Sequence, residues 1–241
     1  MKAIKTENLT KRYRDLVAVD SLSLSVEKGE LFSLLGVNGA GKTTTIKMLS
    51  CLTSPDDGDA FLNGKSIISN TTEVKAIIAV SPQETAVAPN LTVKENLELI
   101  CGIYGFSQEA TKEKVTTQTK LLGLESVINK KAGKLSGGYK RRLSIAMALI
   151  SEPEILFLDE PTLGLDVLAR ADLWDIIKNL KGKITIVLTT HYMEEAEALS
   201  DRIAIMKDGK LLICDTAENI KQTAKTDNFE EAFVNIVRGA K

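Results

Sequence analysis

Several groups of residues in this 241-residue chain have the types and spacing to act on phosphate. The first is Gly36-Val37-Asn38-Gly39-Ala40-Gly41-Lys42-Thr43-Thr44, which fits the pattern G-x-x-x-x-G-K-[ST] of a phosphate-binding loop. Its glycines free the backbone, so that consecutive N–H groups converge on phosphate oxygens at the start of a helix whose dipole is positive there. Lys42 adds a mobile positive charge for the outer phosphates, and the Thr43 hydroxyl is placed to ligate Mg²⁺. A dinucleotide loop needs G-x-G-x-x-G and is excluded, because the order here is G-x-x-G-x-G-K. The second group is Asp159-Glu160, an acidic pair where a buried apolar run emerges. The aspartate suits a Mg²⁺ ion, and the glutamate could polarise an attacking water. The third is Ser136-Gly137-Gly138, a good N-cap with free backbone at a helix start, and hence a second candidate anion site. The competing reading is an ordinary capped helix with Lys140, Arg141 and Arg142 as its solvated face.

Three single residues join them. His191 is the only histidine, so no multi-histidine metal site exists. A lone histidine is usually structural, but this one ends a strand running parallel to that of Asp159, at the edge where α/β sheets bind ligands. Tyr13, upstream of the phosphate loop, can stack on a purine base or simply be a half-buried strand residue. Gln83 follows a strand and, taken alone, reads as a solvated amide.

The scaffold for these groups is an alternation of short buried runs and helical periods. Residues 30–35 form a strand-sized apolar run before the loop, and residues 43–52 a helix after it. Strand-like pieces lie at 4–8, 22–26 and 31–35, with a turn at 27–29. A turn at 54–58 precedes strands at 59–62 and 76–80. From Thr92 the period becomes helical, with Val93, Leu97 and Ile100 on one face and a second helix at 112–122. Residues 85–150 thus read as a helical lobe within an α/β chain. Strands at 155–158 and 184–188 flank a helix at 167–180. Residues 192–198 start an acidic-faced helix, and 203–206 with 210–213 form a hairpin through Asp208-Gly209. Residues 216–241 read as helical and peripheral.

With 44% hydrophobic residues the chain can bury a sizeable core. Lys plus Arg number 31 against 32 Asp plus Glu, so neither nucleic acid nor an anionic membrane is an expected general partner. Three cysteines without C-x-x-C spacing argue against a disulfide framework or a zinc site and fit a reduced, cytosolic compartment. The N-terminus has no apolar signal region and the apolar runs are strand-sized, so the chain is expected neither to cross a membrane nor to be exported by such a signal.

In this order the elements resemble the ATP-binding subunit of ABC transporters over essentially the whole chain, most specifically through Leu135-Ser136-Gly137-Gly138. The resemblance implies an α/β fold: a phosphate-loop NTPase core with a mixed or parallel sheet, an N-terminal antiparallel β subdomain and an inserted helical lobe. Residues 1–84 and 151–215 would form the core, 85–150 the lobe with the signature, and 216–241 peripheral helices. It makes Tyr13 the adenine-stacking residue and residues 36–44 the Walker A loop. Gln83 would touch Mg²⁺ and sense the transporter. Asp159 would be the metal-binding aspartate, Glu160 the catalytic base, Asp166 the D-loop residue and His191 the switch histidine on the γ-phosphate. The position after the signature glycines is Tyr139, where the family pattern has Gln. The run 189–197, Lys140-Arg141-Arg142 and the ending 229–233 look like the exporter branch serving multidrug, antibiotic and polysaccharide efflux. The resemblance further implies ATP and Mg²⁺, a separate membrane-spanning partner, a second copy or a paralogous ATPase, and a peripheral place on the cytoplasmic face of the membrane.

Two other functions compete. A soluble ABC-type ATPase acting on a non-transport macromolecular partner would require either a long coiled coil or two cassettes. Only 52 residues separate Gln83 from Ser136, and the phosphate loop is not repeated. A non-hydrolysing binder is disfavoured because Lys42, Glu160 and His191 are all present.

Overall fold

The computed structural model describes residues 1–239. Strand β1 (Lys2–Tyr13) is the spine of an antiparallel sheet. Its Ile4 and Thr6 point inward while Lys5 and Glu7 face out, until Asn8, at φ 49°, resets the phase and Leu9 turns in again. β2 (Leu16–Leu22), β3 (Ser25–Glu27) and, further on, β5 (Asp57–Leu62) pair with it, and β6 (Lys65–Ser66) extends β5. Between β3 and β5 the chain forms β4 (Leu31–Gly36) and helix α1 (Lys42–Leu49).

β4 belongs to the second sheet. After α2 (Thr71–Ile77) come β7 (Ile78–Ser81), the helices α3 (Val93–Ile103), α4 (Gln108–Leu121) and α5 (Gly137–Leu149), then β8 (Ile155–Asp159). α6 (Val167–Leu180), β9 (Thr185–Thr190), α7 (Met193–Leu199), the hairpin β10 (Arg202–Lys207) and β11 (Lys210–Asp215), α8 (Ala217–Ala224) and α9 (Phe229–Gly239) complete the chain. The six strands lie in the order β11-β10-β4-β9-β8-β7, parallel except for the β10–β11 pair. β4, β8 and β9 are buried along their whole length, as strands covered on both faces must be.

Alternate residues of β8 serve two cores. Leu156 and Leu158 join Leu97, Leu143, Leu173 and Ile177 of the helices. Ile155 and Phe157 join Phe32, Ile46 and Met48 and the inner residues Ile4, Leu9 and Leu22 of the antiparallel sheet. Register then sets function. Leu35 of β4 is level with Thr190 of β9, and Thr189 with Asp159 of β8, so three strand ends deliver the phosphate loop, the acidic pair and His191 to one edge of the sheet.

The mixed sheet, the antiparallel sheet and the inserted helices agree with the expected fold class. Several boundaries differ. The N-terminal strands run far beyond residues 4–8, and 22–26 divides between the end of β2 and β3. Asp57 and Gly58 already belong to β5 rather than to a turn. The strand expected over 76–80 begins only at Ile78, because residues 71–77 form a helix with Val74 as its sole buried residue, too few to leave a periodic apolar stripe. The C-terminal helices are not merely peripheral: Ile220, Phe229 and Phe233 share a core with Leu35 and Ile205. Residues 240 and 241 lie outside the described residues.

Candidate active site

Gly41, at φ 99°, precedes α1, and a Cβ there would lie 2.4 Å from the Ala18 carbonyl oxygen, so no other residue fits without moving backbone. Gly36 is needed for a different reason from the one its place in the motif suggests. Its φ is not positive, but a Cβ would stand 2.5 Å from the Met206 carbonyl oxygen. Lys42 is only 5% exposed and donates to the carbonyls of Gly36 at 2.7 Å and Val37 at 3.3 Å. Gly36 and Val37 thus support the loop from behind, while Asn38, Gly39, Ala40, Gly41, Lys42, Thr43 and Thr44 line a cleft of about 550 Å³. Burial pushes the Lys42 pKa down, and the charges of Glu160 and Asp159 pull it back up. Lys42 Nζ stands 3.9 Å from Glu160 Oε1.

Asp159 ends β8, buried, and its Oδ1 accepts from the Thr43 hydroxyl at 3.3 Å and from the Thr189 hydroxyl. Glu160 is held in the left-handed region at φ 46°, a conformation that costs a non-glycine residue about 1 kcal/mol or more. Its N–H is shared between the Thr189 carbonyl at 3.1 Å and hydroxyl at 3.0 Å. This turn sets the Glu160 side chain in the cleft wall. There Oε2 lies 3.2 Å from His191 Nδ1, in ion-pair range but without the alignment of a hydrogen bond. Gln83 and Tyr13 line the same cleft. The Tyr13 ring is exposed at the mouth, with Lys11 Nζ 5.6 Å from its centroid, which leaves it free to stack on a flat ring system. Thr43, Asp159 and Gln83 offer hard oxygen donors of the kind that hold Mg²⁺ beside phosphates with a single carboxylate.

The remaining residues stand apart. None of Ser136, Gly137 and Gly138 lines the cleft; Gly137 borders a smaller hollow with Gln83, Arg141 and Leu165. Ser136 occupies the N-cap position of α5, yet its hydroxyl makes no capping bond and stays exposed. Asp166 also lies outside the cleft and caps α6, accepting from Ala169 N–H at 2.9 Å. Tyr139 packs on the helical core, with the Arg142 guanidinium 5.5 Å from its ring centroid.

Arg141 corrects the reading of residues 140–142 as a solvated face. It is 4% exposed and donates to the carbonyls of Pro82, at 2.6 Å, and Gln83, tying the signature helix to the glutamine loop. Burial lowers its pKa, partly offset by the charges of Asp159 and Glu195. The spacing 141, 145, 149, all buried, marks the inner face of α5 and could have found it. Glu195 likewise departs from the acidic-faced helix: its neighbours Glu194 and Glu197 face outward, but Glu195 is fully buried.

A phosphate loop, an acidic pair and a histidine converging on one cleft, with a second glycine-rich loop on an inserted helical layer, define a phosphate-loop ATPase. The family model described as "ABC transporter" matches residues 19–163, and the chain belongs to that family. It is 44% identical over 209 residues to the Nod factor export ATP-binding protein I of Burkholderia orbicola, covering 86% of this chain and 68% of that protein. It is 37% identical over 240 residues to the probable multidrug ABC transporter ATP-binding protein YbhF of Escherichia coli, covering 97% of this chain but only 41% of that protein. Among solved structures, an ATP-binding subunit of an ABC transporter superimposes with TM-score 0.85 at 27% identity, over 97% of this chain and 99% of that one. The cassette MJ0796, a dimer in a post-hydrolysis state bound to ADP and Pi, does so with TM-score 0.79 at 29% identity, over 88% and 98%.

His191 provides the first test. A histidine that hydrogen-bonds the γ-phosphate acts on positioning rather than on nucleotide affinity as a whole. His191→Ala should therefore lower turnover at least tenfold while ADP affinity changes less than about threefold. Loss of ADP binding, or of the folded state by circular dichroism, would show the imidazole to be structural.

Proposed function

We propose that the chain is one of two ATPase cassettes that close around two ATP molecules and drive a separate membrane-spanning protein, in the direction of export. The observation that carries this is the separation within one chain of two phosphate-seeking loops. The cleft has a phosphate loop, a carboxylate base and a histidine but no signature residue, while Ser136 presents an uncapped hydroxyl and α5 a bare N-terminus to solvent. A second molecule placed head to tail brings its signature to this cleft. The dimeric state of MJ0796 supports that arrangement, and the Nod factor and YbhF proteins support export.

In the closed site, Lys42 and the N–H groups of residues 38–44 cradle the β and γ phosphates, and Tyr13 stacks on adenine. Thr43, Asp159 and Gln83 would hold Mg²⁺, which when bound would neutralise phosphate charge. Glu160 accepts the proton of the attacking water, and His191 donates to the γ-phosphate. Asp166 acts from the cap of α6 at the seam between the two chains. No helix among the described residues is long and apolar enough to cross a membrane. In this reading the chain works from the cytoplasmic face, bound to its partner. Affinity purification of the tagged chain from detergent-solubilised cells should bring down an integral membrane protein whose presence raises ATPase turnover. Recovery of nucleic acid or ribosomes in its place would overturn the transport reading and leave the ATPase intact.

A further inference from the structure

One fully buried carboxyl is not used in the chemistry above. Glu195, on α7, is 0% exposed, and its Oε1 accepts from the Trp174 indole N–H at 3.1 Å. Its Oε2 is buried without an aligned partner, and so is the Thr162 hydroxyl. Both Thr162 and Thr190 stand within hydrogen-bonding reach of the carboxyl. Thr162 follows the base Glu160 across Pro161, and Thr190 immediately precedes His191, its hydroxyl accepting from Tyr192 N–H at 2.9 Å. Trp174 belongs to α6, the helix that Asp166 caps. One carboxyl thus touches the three segments that carry the base, the histidine and the D-loop residue.

We propose that Glu195 is a positioning residue of the hydrolytic site, a neutral carboxylic acid whose bridge between Thr162, Thr190 and Trp174 holds His191 in register with Glu160. The proposal rests on the chain being an ATPase. Chemistry favours the neutral form. An ionised carboxylate at zero exposure is costly unless a cation pairs with it, and no ion pair to Glu195 exists among the described residues. Arg170 of α6 faces it but stands 3.6 Å from Glu194 and over the rings of Trp174 and Tyr192. Arg141 of α5 acts on it only at a distance, its guanidinium held by the carbonyls of Pro82 and Gln83. Asp159 of β8 faces the same Arg141, and Glu194, Glu197, Tyr192 and His191 are the ionisable groups beside it on its own segment. Burial pushes the Glu195 pKa up, opposed by the nearby hydroxyls of Thr190 and Thr162, by the Trp174 indole N–H and by the charge of Arg170. A protonated Oε2 donates to Thr162 Oγ1, and two orphaned oxygens satisfy each other.

The test compares Glu195→Gln with Glu195→Leu in the full chain. Glu195→Gln keeps the shape, the neutrality and one donor, and should retain kcat within about twofold at neutral pH. Glu195→Leu should lower kcat at least tenfold with KM for ATP changed less than about threefold, since the cleft itself is untouched. An equal loss in both variants would overturn the neutral bridge in favour of a needed charge, and an unchanged kcat in a folded Glu195→Leu would overturn the positioning role. Where Glu195→Leu does not fold, Thr162→Val removes the same bridge from its other end, and unchanged kcat in that variant would overturn the proposal equally. A second readout needs no ATPase activity. A raised folded-state pKa gives stability that is present below the ordinary value of 4.5 and lost as pH rises through the folded value, whereas Gln has no proton to lose. The Tm of Glu195→Gln relative to the parent chain should therefore climb as pH rises above the ordinary value of 4.5. A flat difference would show the carboxyl to be ionised. A parent chain without ATPase activity would defeat the enzymatic reading, and the Tm comparison would still decide the state of Glu195.

Discussion

Glu160→Gln should lower ATP hydrolysis by about two to four orders of magnitude while leaving ATP binding intact. Gln has the shape of Glu, keeps an oxygen toward Lys42 and His191, and leaves the Asp159–Thr43 donor pair alone. What it lacks is the basicity to take the proton of water. The strained turn that places residue 160 depends on its N–H and the Thr189 side chain, neither of which changes, so the variant should fold normally. With hydrolysis blocked, ATP should hold two chains together, and size-exclusion chromatography should show a dimer in ATP and a monomer in ADP. A variant that hydrolyses ATP at a near-normal rate would remove Glu160 from the role of base.

An equally large effect, but with recovery, is expected from mixing two inactive proteins. Lys42→Ala removes the charge its own cleft needs. Gly137→Glu sets a carboxylate where the signature of that chain should meet the phosphates of its partner. The structure has room for this probe: a Cβ at Gly137 meets nothing nearer than Leu165 Cδ2 at 3.6 Å, whereas at Gly138 it would press on Ala169 at 3.0 Å. Each homodimer is then dead at both sites. In a mixed dimer both defects fall in one site, and the other keeps an intact phosphate loop and an intact signature. Some ATPase activity should return on mixing. Mixed dimers that form and stay inactive point either to a signature working within its own chain or to two sites unable to fire singly. Trapping of labelled ATP at the one intact site separates these, since only the trans arrangement leaves such a site.

Much of the site was legible because phosphate chemistry demands particular residues at particular spacings. Residues 36–44 must have their glycines, and a buried strand ending in Asp159-Glu160 announces itself by an apolar run stopped by charge. His191 was legible by position, since parallel strands end together. What escaped was decided by burial that residue type does not betray. Arg141 and Glu195 have the identities of surface residues and sit inside, where carbonyls or hydroxyls replace water. α2 lacked periodicity because a single buried side chain anchors it. Ser136 has the identity of a cap, yet the backbone of α5 leaves its hydroxyl unused. Nothing local in the sequence separates an occupied cap from a vacant one.

The close meeting of Gly41 with Ala18 has a consequence for the order in which the molecule is made. Gly209, in the turn of the β10–β11 hairpin, joins the same contact: its N–H donates to the Ala40 carbonyl at 3.2 Å and its carbonyl accepts from Asp20 N–H at 2.9 Å. The phosphate loop is therefore clasped by backbone from about 20 residues before it and about 170 after it in the chain. A nascent polypeptide emerging from the ribosome holds every phosphate-cradling residue by Thr44, and the acidic pair and histidine by residue 191, yet lacks the clasp until residue 209 has been added. The phosphate loop can therefore reach its clasped arrangement only after residue 209 has been added, well after its own residues and the acidic pair have been made.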